Sequence, residues 1–98
     1  MATRRAKKAR EVRIALAADL RIGSARAAFA ALQVPEPGVT VVIDAAPVSK
    51  VDAAGLQAIV AGLARWRSAG TRWRWENPAP ALVASARLAG LAATLGLP

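Results

Sequence analysis

The chain has 98 residues and 55% hydrophobic side chains, enough for one small domain with a core and too few for two. It has no histidine and no cysteine, which excludes disulfides, thiolate chemistry, the usual zinc ligands and the commonest general base. The formal net charge is +8, and Arg4, Arg5, Lys7, Lys8 and Arg10 supply five of it within the first ten residues.

Residues 1–10 are thus a basic leader, expected to be solvated or disordered. From Glu11 to Leu20 apolar residues alternate, with Val12, Ile14 and Leu16 on one side. That period of two predicts a half-buried strand. Residues 20–22 can add a short second strand. A helix is expected from Gly23 and Ser24 to about Gln33, with Ser24 as its cap and Ala28, Phe29 and Leu32 turned inward. Pro35 and Pro37 stop it.

Residues 39–43 are rich in β-branched side chains and follow Pro35-Glu36-Pro37-Gly38, which reads as a buried strand. After a turn, Asp52 is placed to cap a helix, because its carboxylate accepts from free backbone N–H groups at the helix start. Leu56, Ile59, Val60 and Leu63 then form one helical stripe. Gly70 ends this helix. Residues 71–76 alternate strictly, with Thr71, Trp73 and Trp75 on one face and Arg72, Arg74 and Glu76 on the other. Trp73 and Trp75 are read as core, and Arg72 and Arg74 as solvent-facing. Trp66 is either a core edge or a partner contact. Asn77 and Pro78 are expected to cap the next helix, whose inward positions are Leu82, Val83, Ala86, Leu88 and Ala89. Gly90 breaks it, and residues 91–97 form a last turn or short helix.

This order predicts an α/β domain with about four strands in a mixed sheet and helices mainly on one face. The strand–helix–strand unit of residues 39–76 is expected to be a right-handed crossover between parallel strands.

The central helix has a second face, made by Ala54, Gln57, Ala58, Ala61 and Arg65. Small side chains with a charged rim suit the close approach of another protein. Asp44 and Asp52 are read as loop-structuring residues and not as a catalytic pair, since no base, nucleophile or metal set accompanies them. No catalytic residue, cofactor or metal site is assigned. No apolar run reaches the roughly 20 residues of a membrane span, and the start lacks the apolar segment of a secretory signal. A cytoplasmic protein is expected.

Val41-Val42-Ile43-Asp44, Val51-Asp52-Ala53-Ala54-Gly55-Leu56, the strand from Gly70 to Pro78 and Leu88-Ala89-Gly90-Leu91 together resemble the STAS domain, the fold of bacterial anti-sigma factor antagonists. The likeness covers residues 11–98. It is similar to the STAS subunit of phospholipid-transport ABC complexes (MlaB-like) and to small STAS proteins of chemotaxis-type signalling. The resemblance implies a non-enzymatic interaction module that docks through the loop and helix start, Asp52, Ala53, Ala54, Gly55, Gln57, Ala58 and Ala61 with Arg65 at the rim. The implied partner is an ATPase or a histidine-kinase-like protein. Phosphorylated members have a serine or threonine directly before the loop glycine. Here Ala54 stands there, beside Ala53, so no phosphate can be accepted at that site. Ser49, in the same loop, is a weak candidate for a relocated phosphosite. The rival from another class is nucleic-acid binding through the basic leader.

Overall fold

The computed structural model describes residues 10–98. The basic leader falls outside this range except for Arg10, the first residue of strand β1 (Arg10–Ala15). Then follow β2 (Asp19–Leu20), a 3-10 turn (Ile22–Ser24) and helix α1 (Ala25–Ala31). The central unit is β3 (Val39–Asp44), β4 (Lys50–Val51), helix α2 (Ala53–Ala69) and β5 (Arg72–Glu76). Helices α3 (Pro80–Leu88) and α4 (Ala92–Leu95) close the chain.

Strand β3 is central, with the order β1-β3-β5, and β2 pairs β4 in a separate two-strand ladder. The α/β class and the crossover between parallel strands are as expected. The sheet is not mixed, however: β1–β3, β3–β5 and β2–β4 all pair in parallel. The reason lies in the connections. Each paired strand is reached through a helix or a long loop, and a parallel neighbour requires such a crossover.

The expected strand of residues 11–20 is split. The chain leaves the sheet after Ala15, with the Leu16 N–H still donating to the Asp44 carbonyl (3.0 Å), and β2 then pairs elsewhere. Val12, at the uncovered edge, stays exposed.

One face of the sheet is apolar. Val41, Ile43, Leu56, Ile59, Leu63, Trp66, Leu82, Ala86 and Leu95 form a continuous buried cluster, with Trp73 and Trp75 partly buried against it. All the helices gather on that side, because the stripe of α2 and the alternate residues of β3 and β5 offer apolar surface only there. Burying these side chains is the main favourable term in folding. Trp66 is fully buried and its Nε1–H donates to the Gln33 carbonyl (3.1 Å), which decides its two readings in favour of the core.

The other sheet face is an ionic lattice. Arg13, Val42 and Arg74 lie side by side in register. Arg13 pairs with Glu76, and Arg74 reaches Glu11 (3.2 Å) and Glu76 (3.6 Å). Val42 is nevertheless buried, which the aliphatic stems of its arginine neighbours explain.

Local punctuation differs from the sequence expectations at four places. Ser24 makes no side-chain cap bond, because a 3-10 turn leads directly into α1. Helix α1 ends at Ala31, with Ala28 buried within it and Leu32 buried just beyond it. Asn77 adopts a left-handed conformation (φ 51°), which asparagine tolerates. Helix α3 therefore starts two residues after Pro78, with Pro80 at its N-terminus and Ala79 as its cap. Leu88 is 91% exposed and Ala89 is exposed, so neither faces the core.

Candidate partner-docking site

The site lies at the C-terminal ends of the parallel strands, where open α/β sheets place their loops for function. Two aspartates shape it. Asp44, the last residue of β3, accepts from the Ala46 N–H (3.0 Å) through Oδ1, an Asx turn that bends the chain out of the sheet. Val48 is buried beneath the loop, and its N–H donates to the Ala45 carbonyl (3.1 Å). The N–H groups of Ser49 and Lys50 both donate to the Ala18 carbonyl, at 2.9 and 3.1 Å. The loop is thereby tied to the segment between β1 and β2.

Asp52 joins two segments. Its Oδ1 accepts from the Gly55 N–H (2.9 Å), the helix cap that the sequence predicts. Its Oδ2 accepts from the Ile22 N–H (2.8 Å), thirty residues earlier. The Gly55 bond is the first cause that holds this carboxyl below the usual range. Desolvation, second in size, opposes it, and the Ile22 and Ala54 N–H groups and the charge of Arg21 add to the lowering. Arg21 in turn grips Asp19 through Nε (2.9 Å) and Nη2 (2.8 Å), and the Arg21 N–H adds a third bond (3.1 Å). That hydrogen bonding lowers the Asp19 carboxyl and raises the Arg21 guanidinium.

Gly55 is required by contact. A Cβ at this position would stand 1.7 Å from the Leu20 carbonyl oxygen. The first turn of α2 therefore presses its backbone on β2, which no side chain permits. This is a packing reason for the loop glycine, independent of any modification beside it.

The predicted docking residues separate by exposure. Ala53, Gln57 and Ala61 are exposed along one side of α2. Ala54 is half-buried, and Ala58 is half-buried and packs against the core. Arg65 is exposed but engaged: its Nη2 donates to the Leu32 carbonyl (2.9 Å) and its guanidinium stacks 4.1 Å from the Phe29 ring centroid. Phe29, expected to turn inward, is instead half-buried under this arginine. Ser49 is exposed, with its Oγ donating a long hydrogen bond to the Ala18 carbonyl (3.4 Å).

The sequence reading missed Ile22. Expected in a short strand, it instead opens the 3-10 turn and is 76% exposed. A lone aliphatic residue between Arg21 and Gly23-Ser24 was the available signal. Strand propensity hid it.

The site offers no nucleophile–base pair, and among the described residues no cluster of acidic side chains could hold a metal. No helix of the described chain is long and apolar enough to cross a membrane. A cleft of about 660 Å³ lies at the opposite ends of the strands, lined by residues 34–40 and 69–72. It is remote from the loop built on Asp44 and Asp52.

Comparison with known proteins agrees with this architecture. A solved structure, the sulfate transporter family protein from Wolinella succinogenes, superposes with a TM-score of 0.73 at 18% identity, covering 88% of this chain and 71% of that one. At that identity the likeness concerns the fold. No curated protein matches the chain. The family model described as "Mlab, STAS domain" matches residues 3–97, nearly the full length. The chain therefore belongs to the STAS domain family, a group of domains that generally serve as non-catalytic modules for protein interaction.

Proposed function

We propose that this protein is a non-enzymatic regulatory STAS module that docks residues 52–61 on an ATP-binding partner protein and works without a phosphorylation switch at Ala54. One observation carries the reading. The start of α2 is rigidly fixed by Asp52 and Gly55, yet it presents Ala53, Gln57 and Ala61 to solvent with no hydroxyl among them. A fixed, flat surface of small side chains loses little entropy when another protein covers it. Docking biases the conformation or availability of the partner, an anti-sigma factor kinase, an ABC ATPase or a chemotaxis-type kinase complex. The match to the MlaB-type STAS model favours the second of these, an accessory subunit of a phospholipid-transport ABC ATPase. The protein acts in the cytoplasm, where such partners keep their nucleotide sites.

The test is affinity capture of the tagged protein from its native lysate at moderate salt, with Ala61→Arg as control. Ala61 is exposed on α2, so the variant keeps its circular dichroism spectrum. An ATPase or histidine-kinase-like protein retained by the wild type and lost with the variant is the expected result. Equal retention by both proteins means that this surface is the wrong one. If both retain only nucleic acid, in a manner that falls steeply with salt, the basic leader is the active feature. Phosphate incorporation that disappears with Ser49→Ala would restore a switch at the neighbouring loop.

A further inference from the structure

We infer that Ile22 is the apolar anchor of this docking surface, and that the partner receives it in an apolar pocket rimmed by carboxylates. The inference rests on the docking reading above and adds to it the residue and the chemistry of the contact. Of the exposed large aliphatic residues in the described chain, Val12, Ile22, Val34 and Leu88, Ile22 is 76% exposed and is the one whose backbone is bonded to Asp52 at the start of α2. It is not loose. Its N–H is held by Asp52 Oδ2 (2.8 Å), and the preceding residue, Arg21, is clamped on Asp19. The Ser24 N–H closes the turn on the Arg21 carbonyl (2.8 Å). The same carboxylate that caps α2 thus also holds the base of Ile22, tying this side chain to the start of α2. Gly23 beside it adds no bulk, with open space where a Cβ would lie. Central interface anchors have this character: apolar, prominent and ordered before binding.

Charge states what the partner must offer. Asp19 and Arg21 neutralise each other, and Asp52 is consumed by backbone donors. Lys50, opposite Asp19 in the β2–β4 ladder, and Arg26, one helical turn after Ile22, are exposed. Neither forms an ion pair among the described residues. The rim of the anchor is therefore cationic and complements carboxylates. A second copy of a chain with net charge +8 meets that rim with like charge, which argues against self-association. One aliphatic side chain beside a flat alanine surface also fits a protein pocket better than a bilayer, where a single short chain gives marginal binding.

The experiment purifies the ATP-binding protein that the wild type retains and Ala61→Arg loses, and titrates it calorimetrically with Ile22 and Lys50 variants. Ile22→Ser should weaken affinity about tenfold or more, while Ile22→Leu stays within about threefold of wild type, as expected for a buried apolar anchor. Lys50→Glu should weaken binding and flatten its salt dependence. Ile22→Ser binding like wild type, with Ala61→Arg still inactive, overturns the anchor and leaves the docking reading intact. If the wild type retains no protein that Ala61→Arg loses, the docking reading fails and the anchor fails with it. Flotation of the wild type with phosphatidylglycerol–phosphatidylcholine vesicles, abolished by Ile22→Ser, would assign the tip to a lipid surface and likewise overturn the proposal.

Discussion

The two ends of helix α2 differ in their residues and finish in opposite states. At the C-terminal end the chain consumes its own functional groups. Trp66 is buried and bonded to the Gln33 carbonyl. Arg65 turns back on Phe29 and the Leu32 carbonyl, and Arg67 lies 5.1 Å from the Trp73 ring centroid and donates to the Thr94 carbonyl. At the N-terminal end only backbone and Asp52 are consumed, and the side chains of Ala53, Gln57, Ala61 and the adjoining Ile22 are left to solvent. The difference teaches where to look for a partner. A face whose arginines are already stacked and bonded has little to offer, however conspicuous its aromatic residues. A face that is rigid and unspent has more.

Four substitutions sharpen or break this contrast. The largest effect is expected from Trp66→Ala, about 4 kcal/mol of stability by loss of a fully buried indole, measured by urea denaturation. Partner affinity of the folded fraction should be unchanged. A loss of affinity at full folding would show that the C-terminal end is the binding end. Next is Gly55→Ala, expected to cost about 3 kcal/mol, because the clash is with backbone and cannot be relieved by a rotamer change. A tolerated alanine there would mean that α2 does not need its close approach to β2.

Asp52→Asn should have a smaller effect, a fall of a few degrees in Tm. Its signature is in the pH dependence. The folded-state carboxyl is held below its usual value. Its stabilisation is therefore complete above the unfolded value of about 3.9, and is lost as pH falls through the lower folded value. The stability gap between wild type and Asp52→Asn should be constant near neutral pH and should close under acid. A gap unaffected by acid would remove the charge from the explanation. Smallest is Arg74→Ala on the open sheet face, about 0.5 kcal/mol for exposed ion pairs, with an effect that shrinks in high salt. A larger and salt-insensitive loss would show that covering Val42 is the main role of the arginine stem.

Much of this was legible beforehand. The strand of residues 39–43, the cap at Asp52, the stripe of α2, the stop at Gly70 and the alternation of β5 all follow from local periodicity and backbone chemistry, which act over a few residues. What misled was punctuation with more than one solution. Asn77-Pro78 and Pro80 both suit a helix start, and the left-handed turn at Asn77 moved the helix to the second proline. The segment of residues 11–20 alternates throughout, but the sheet uses only its first part, because the partner strand β3 ends at Asp44. Within the candidate site, Asp52 and Gly55 were legible as cap and loop glycine. The second bond of Asp52, to Ile22, spans thirty residues and leaves no mark on local pattern.

The sequence by itself determined the class of the domain, the order of its elements, the absence of histidine and cysteine chemistry and of a hydroxyl at Ala53 and Ala54, and the family to which these features point. Each is a property of residue type or short-range spacing. Tertiary structure alone decided which apolar and basic residues remain available. It buried Trp66, spent Arg65 and Arg67 on neighbouring elements, buried Val42 between Arg13 and Arg74 on the ionic face and left Ile22 exposed beside the start of α2. Availability depends on what the rest of the fold places against a side chain, and that is settled only when segments distant in the chain meet.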